Sequence, residues 1–205
     1  MPIKDKIRIR REMRRQRRML TNGEQEIAAD ALAEKLLRLP GIVGSRRIAA
    51  YFANDGEIDP LPAMIEWMGR GKQCFLPVLF QGQRPRIRFA LFTDKTSWIL
   101  NQFGILEPNV GPRFCLDPVA FDWILLPLVA FDTFGNRLGM GGGYYDASLE
   151  VLRHRQNWRR PRLVGLAHEF QKIDALNVDG WDVPLHGVLT DHRFYPAHNL
   201  TGPGI

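Results

Sequence analysis

Apolar positions along the chain follow two periods. Uninterrupted apolar runs come first: Leu125-Leu-Pro-Leu-Val-Ala-Phe131 predicts a buried strand over 122–129, and similar runs predict strands at 47–52, 72–80, 162–167 and 187–190. Arg86-Ile-Arg-Phe89 alternates and suits a partly exposed strand. Between these runs the period lengthens. Ile3 with Ile7, and Ile9 with Met13, are i,i+4 pairs in a predicted helix over 3–19, where Lys6, Arg10 and Arg14 share another face. Thr21-Asn-Gly-Glu24 has capping-box form and opens a second helix, with Ile27, Ala28, Ala31, Leu32 and Leu36 on its apolar face and Pro40-Gly41 as its stop. Asp59-Pro60 reads as N-cap and N1 of a helix to Met68, closed by Gly69 and Gly71. A last helix is predicted over 143–152, with Arg153 and Arg155 suited to its C-terminus. Residues 93–118 show neither period; an irregular segment packed over the sheet or lining a pocket is expected. Strands alternating with helices predict an α/β fold with a mostly parallel sheet, and such sheets bind ligands at the C-terminal ends of their strands.

Two loops lie at such ends. The strand over 122–129 leads into Gly135-Asn-Arg-Leu-Gly-Met-Gly-Gly-Gly-Tyr-Tyr-Asp146. A glycine-rich turn entering a helix lets backbone N–H groups approach an anion, and Arg137 adds a forked cation. Asp146 stands one turn further on, where a carboxylate can reach a nucleotide-borne Mg²⁺. The Walker pattern ending in Gly-Lys-Ser/Thr is absent, and Tyr144 occupies the last glycine position of G-x-G-x-x-G, so neither standard nucleotide fingerprint applies. Tyr144 and Tyr145 suit packing, or stacking on a ligand. The other loop, Ala53–Glu57, follows the strand over 47–52; read alone, Glu57 is an exposed loop carboxylate, with ligand binding the alternative. Asp182, in the turn Gly180-Trp-Asp-Val-Pro184, reads first as a turn carboxylate and second as a metal contact. His168 reads as a satisfied structural histidine, and none of the five histidines has metal-ligand spacing.

Charge modifies this picture at one end only. Residues 1–18 carry nine Lys/Arg against Asp5 and Glu12, whereas the other residues carry 19 basic against 20 acidic groups. The net charge of +6 therefore belongs to an N-terminal arm, which suits a polyanion such as nucleic acid or nucleotide phosphates. Length and hydrophobic content fit one globular domain over 1–205. No apolar run reaches membrane-span length, and no apolar stretch of a secretory signal follows the basic N-terminus. Cys74 and Cys115 form no metal or disulfide pattern, so a cytoplasmic protein is expected.

The glycine stretch, preceded by Leu126-Pro-Leu-Val-Ala-Phe-Asp132, closely resembles the signature of the 5-formyltetrahydrofolate cyclo-ligase family. Weaker elements in the same order support the resemblance: Lys6 with Arg10, Gly56-Glu-Ile-Asp59, Phe103-Gly-Ile-Leu-Glu-Pro108 and Trp181-Asp-Val-Pro-Leu185. The resemblance implies a three-layer α/β/α sandwich, Rossmann-like, with the basic helix over 1–20 contributing to a nucleotide site. It implies ATP- and Mg²⁺-dependent closure of 5-formyltetrahydrofolate to 5,10-methenyltetrahydrofolate, through phosphorylation of the formyl oxygen. It assigns ATP to Lys6, Arg10, Arg137, Leu138, Gly139, Met140, Gly141, Gly142, Gly143, Tyr144 and Tyr145, with Arg137 catalytic. It assigns folate to Phe52, Glu57 and Met140–Tyr144, and Mg²⁺ to Asp146 and Asp182. A monomer acting on these two small molecules, without specific nucleic acid or membrane, is expected. Many members carry Lys where this chain has Gly142, which removes one phosphate cation. The remaining arginines, Arg11, Arg14, Arg15, Arg17 and Arg18, are expected to be surface charge.

Overall fold

The computed structural model describes residues 3–81, 84–153, 160–176 and 183–197. Helix α1 (Ile3–Met19) and helix α2 (Asn22–Arg38) open the chain. The turn between them is fixed by the predicted capping box: Thr21 Oγ1 accepts the Glu24 N–H, and Glu24 Oε2 accepts the Thr21 N–H at 2.8 Å. There follow β1 (Arg47–Ala49), α3 (Leu61–Gly69), β2 (Gln73–Phe80), β3 (Arg86–Leu91), β4 (Trp98–Leu100), β5 (Leu106–Pro108), β6 (Cys115–Leu116), β7 (Trp123–Pro127), β8 (Ala130–Phe131), β9 (Arg137–Leu138), α4 (Tyr144–Arg153), β10 (Arg162–Ala167), β11 (Gly187–Thr190) and β12 (Phe194–Pro196).

Eight strands form one sheet in the order β12-β11-β10-β7-β1-β2-β3-β6. The pairs β11–β10, β10–β7, β7–β1 and β1–β2 are parallel, and antiparallel strands flank them. Strand residues alternate between two cores. Ile48, Leu125 and Val164 meet Leu32, Leu36, Met64 and Trp67 of α2 and α3 on one face. Ala49, Ile124, Leu126 and Leu163 meet Leu149 of α4 on the other. Helices on both faces of a mostly parallel sheet make the three-layer α/β/α fold.

The sheet runs in opposite directions from its middle: β1 leads to β2 on one side, and β7 leads to β10 and β11 on the other. The junction between β1 and β7 is therefore a topological switch point. The loops leaving adjacent C-terminal strand ends diverge there and leave a crevice for ligands. Register places Ala49 opposite Ile124, so the loops after β1 and β7 start side by side.

Several elements differ from the expectation. Strand β1 is three residues long, because the chain leaves the sheet after Ala49 and folds back, with Tyr51 Oη donating to Ile58 O at 2.8 Å. Pro77 lies inside β2; β1 pairs only residues 73–75, so β2 has no β1 neighbour at the proline. Ile27 is exposed, and the buried face of α2 is Ala28, Ala29, Leu32, Ala33 and Leu36. The segment over 93–118 is not irregular: it holds the antiparallel β4–β5 hairpin, a short 3₁₀ turn at Pro112–Phe114 and β6. Arg155 lies outside the described residues.

Candidate active site at the strand switch point

The glycine loop hangs from a small hairpin. β8 and β9 pair antiparallel around a turn built on Asp132, which is almost fully buried. Asp132 Oδ1 accepts the N–H groups of Phe134 and Asn136, and Oδ2 accepts Asn136 Nδ2 and the Leu176 N–H. All the acceptor capacity of a buried carboxylate is thus spent on backbone geometry. A second anchor is Gln171, whose amide nitrogen donates to Leu128 O and Val129 O at 2.8 and 2.9 Å. The loop therefore starts from rigid supports at both ends of its hairpin. Gly141 has φ +96°, a conformation that L side chains rarely adopt.

Helix α1 packs across this hairpin, with Ile9 and Met13 against Ala130 and Leu138. The same register brings Arg10 to the loop: its Nε donates to Gly139 O at 2.8 Å, and a Cβ on Gly141 would lie 3.4 Å from its guanidinium carbon. Lys6 lies one helical turn earlier on the same face, half-buried. Arg137, on β9, is nearly buried and donates to Val183 O and to Asp146 Oδ1. Asp146 sits in the first turn of α4, where a carboxylate suits the positive helix end.

The second loop is not the exposed one expected. The Glu57 side chain is 13% exposed and that of Asp55 is 12%. Helix α1 covers them. Asp55 accepts from Arg14 Nε at 2.7 Å, from Arg17 Nη2 at 2.9 Å and from Arg18 Nε. Burial works against its charge, but the hydrogen bonds from Arg14 and Arg18, with the charges of Arg14 and Arg17, more than offset it and hold the carboxyl below its usual range. Arg17 itself is 0% exposed, and its Nη1 stands 3.7 Å from Glu57 Oε1. Arg14, Arg17 and Arg18 are therefore not spare surface charge. Arg15 does lie on the outer face, paired with Glu12.

Glu57 Oε2 accepts the Asn54 N–H at 3.2 Å. Burial pushes its carboxyl up to about 7, against the lowering pull of Arg17 and the Asn54 hydrogen bond. Tyr145 lies within the field of both Glu57 and Arg137, and burial first, then the Glu57 charge, pushes its phenol up. It therefore remains a neutral hydrogen-bond donor between the two loops. His168 is the structural residue anticipated; its Nε2 meets Gly56 O at 3.2 Å, so that nitrogen carries the proton.

The β4–β5 hairpin forms a third wall, which the weak periodicity of its short strands concealed. Trp98 packs on Phe52 with ring centroids 5.0 Å apart, and Phe92 completes the aromatic cluster at 5.8 Å from each. At the other end Phe103 meets Tyr144 edge-on at 5.7 Å, and Gln102 Nε2 donates to Tyr144 Oη. Phe103 and Met140 are both about half exposed, so the rim of the crevice is apolar. A planar ring entering from this side meets aromatic faces, whereas an anion meets glycine N–H groups, Arg10 and the start of α4. Among the described residues no group of three or more His, Cys, Asp or Glu clusters to hold a metal by itself. Asp182 lies outside the described residues.

The sequence profile of the 5-formyltetrahydrofolate cyclo-ligase family matches residues 2–191. The 5-formyltetrahydrofolate cyclo-ligase of Haemophilus influenzae is 39% identical over 185 residues, covering 88% of this chain and 95% of the relative. That of Escherichia coli K12 is 34% identical over 185 residues, 89% and 98% of the two chains. Among solved structures, the 5,10-methenyltetrahydrofolate synthetase of Aquifex aeolicus superposes with a TM-score of 0.78 at 28% identity, covering 98% of this chain and 96% of that one. The crevice between the glycine loop and the Glu57 loop thus sits in a chain matched nearly end to end by one set of relatives, and the protein belongs to the 5-formyltetrahydrofolate cyclo-ligase family.

Proposed function

We propose that this chain converts 5-formyltetrahydrofolate and ATP into 5,10-methenyltetrahydrofolate, ADP and phosphate, working as one domain. The observation that carries the reading is the switch point, where α1 touches both the glycine loop through Arg10 and the Glu57 loop through Arg17. Such a crevice suits two substrates that must react with each other. The formyl oxygen attacks the γ-phosphorus, and the bond from that phosphorus to the bridging oxygen of ADP breaks. The folate's N10 then attacks the activated formyl carbon, loses its proton, and the C–O bond to phosphate breaks. Phosphoryl transfer of this kind depends on positioning and charge neutralisation. The glycine N–H groups, Lys6, Arg10 and Arg137 provide cations and donors for the phosphates. Glu57, which when ionised accepts and does not donate, suits the pterin's N–H edge, and Phe52 suits its ring.

Asp146 is a hard oxygen ligand beside the phosphate loop. Mg²⁺ on a nucleotide needs only one or two protein carboxylates, since phosphate and water complete its shell, so Asp146 fits it; Asp182 is the second contact that the family resemblance implies. When bound, the ion would neutralise phosphate charge. Arg137, already paired with Asp146, keeps that carboxylate in place. Both cysteines are free and buried, which suits a reducing cytoplasm. No described helix is long and apolar enough to cross a membrane. The basic arm fits polyanion binding less well than its charge suggested, because Arg14, Arg17 and Arg18 are engaged with Asp55.

With 5-formyltetrahydrofolate, Mg²⁺ and ATP, the absorbance of the methenyl product rises. Folded protein that gives no rise overturns the reading. Gly142 offers a sharper check on the nucleotide side. Its backbone carries no positive φ, and a Cβ would meet only Tyr144, with Cδ2 at 3.3 Å, which needs the ring to give a few tenths of an ångström. Gly142→Lys is therefore tolerated and adds a phosphate cation. It lowers the KM for ATP roughly tenfold, the effect of one hydrogen bond to a charged group. An ATP KM that is unchanged or raised shows that position 142 does not face the phosphates.

A further inference from the structure

Arg17 is a costly residue where it stands. It is among the largest fully buried side chains, yet its Nε and Nη1 have no hydrogen-bond partner. Among the described residues the other buried side-chain atom in that condition is Arg162 Nη1, whose guanidinium stacks on Trp123 at 5.4 Å. An apolar side chain of equal volume fills such a space more favourably than a guanidinium with unfilled donors. Packing therefore does not account for Arg17. What its charge touches does. Nη2 is held on Asp55 Oδ2 at 2.9 Å, and Nη1 stands 3.7 Å from Glu57 Oε1, beyond a hydrogen bond but within an ion pair. Three arginines share Asp55, so positive charge is left over beside Glu57. Gln25 Nε2 ties Gly56 O to Arg17 O, which fixes loop and helix together.

We propose that Arg17 is a positioning residue for folate capture, whose buried guanidinium keeps Glu57 in place as a charged acceptor for the pterin's N–H edge. This rests on the reading of Glu57 as the folate contact. The groups that face Glu57 are Arg14 and Arg17 from α1, Asp55 within the loop, Tyr51 after β1 and Tyr145 from α4; His168 holds the adjacent Gly56 carbonyl. Arg17 and Arg14 favour the carboxylate. Asp55, as a like charge, opposes it, and the two tyrosines stay neutral.

The test is the pH profile of the KM for 5-formyltetrahydrofolate, with kcat followed separately. In the wild type this KM rises as pH falls through about 7, because protonation removes the charge that strengthens the bond and turns one carboxylate oxygen into an O–H facing the pterin's donors. Arg17→Met moves that rise upward by about one to three pH units, the effect of losing an adjacent guanidinium. Arg17→Lys, which returns the charge, moves it back. Asp55→Asn removes a like charge in a residue whose φ of +53° asparagine tolerates, and so moves the rise downward. Opposite shifts from two residues of the same buried cluster do not follow from a packing role. Glu57→Gln separates the two ideas. If it leaves the folate KM and its pH profile unchanged, the folate reading of Glu57 fails. If it abolishes the profile while the Arg17 and Asp55 variants leave it in place, the assignment of Arg17 fails. Should Arg17→Met not fold, Arg17→Lys and Asp55→Asn decide alone: no downward shift in Asp55→Asn overturns the proposal.

Discussion

Arg137→Ala lowers kcat by about 10²–10³, the usual effect of removing one electrostatic contact to a developing charge. Three observations support so large an effect. Arg137 stands on a two-residue strand whose turn is locked by Asp132, so its position is fixed before any substrate arrives. Its side chain is 7% exposed, in surroundings where a cation acts at low dielectric. Its two terminal nitrogens are oriented by Val183 O and Asp146 Oδ1, which turns the fork toward the start of α4, where phosphate is proposed to sit. The KM for folate changes little, because Glu57 and Phe52 belong to the other loop. Arg137→Lys keeps the charge without the fork and falls between wild type and Ala. The variant also leaves Val183 O without that donor, so some stability is lost. Steady-state kinetics with a melting curve separate the two effects: a lowered Tm with unchanged kcat makes Arg137 a purely structural residue.

The five parallel strands and their order of appearance were legible because buried strands read as apolar runs, as at Leu125–Val129, and their termini carry turn residues; the two-residue strands β6, β8 and β9 and the half-exposed edge strand β12 offered no such run. The capping box at Thr21 and the helix over 3–19 were equally local, and both are found as read. What local pattern cannot carry is convergence. The bond from Arg17 to Asp55 spans 38 residues of sequence, and that from Arg10 to Gly139 spans 129. A run of arginines on a helix looks solvated until the loop whose Asp55 pairs with three of them, and which buries Arg17, is in view. Glu57 was misread as exposed for the same reason. The β4–β5 hairpin was missed because three-residue strands are too short to show a period, and all three residues of β4 are exposed. Ile27 shows the converse error: it fell on the predicted stripe of α2, but the helix buries a face turned one residue further, through Ala29 and Ala33.

The misreadings of the arginines and of Glu57 concern one element, α1, and it is the element that links the two halves of the crevice. The β8–β9 hairpin rests on Ile9 and Met13, the phosphate loop meets Arg10, and the Glu57 loop is clamped by Arg14, Arg17 and Arg18. The positions over 9–18 thus alternate between faces that serve different loops, as 3.6-residue periodicity allows. A displacement of α1 is felt at both proposed substrate subsites.

Gly56→Ala is the change that displaces α1, and it costs about 2–5 kcal/mol. Gly56 has φ +72°, where an L side chain is strained, and a Cβ there would lie 2.7 Å from Arg17 O and 2.8 Å from Arg17 C. Those atoms are helix backbone, which cannot swing aside as a flexible side chain can. Either the loop or the end of α1 must move. For a chain of this size each kcal/mol lowers Tm by about 2–4 °C, so a fall of roughly 4–20 °C is expected. Gly71→Ala is the control. It shares the left-handed conformation, at φ +77°, but a Cβ there meets nothing within 4 Å. It costs only the conformational part, about 1–2 kcal/mol. The difference between the two variants measures the contact between the Glu57 loop and α1. Because the displaced helix also carries Arg10, Gly56→Ala raises the KM for ATP as well as for folate, although residue 56 touches neither phosphate nor glycine loop. Equal melting temperatures for the two alanine variants, or an ATP KM unmoved in Gly56→Ala, rule out α1 as the link between the two subsites.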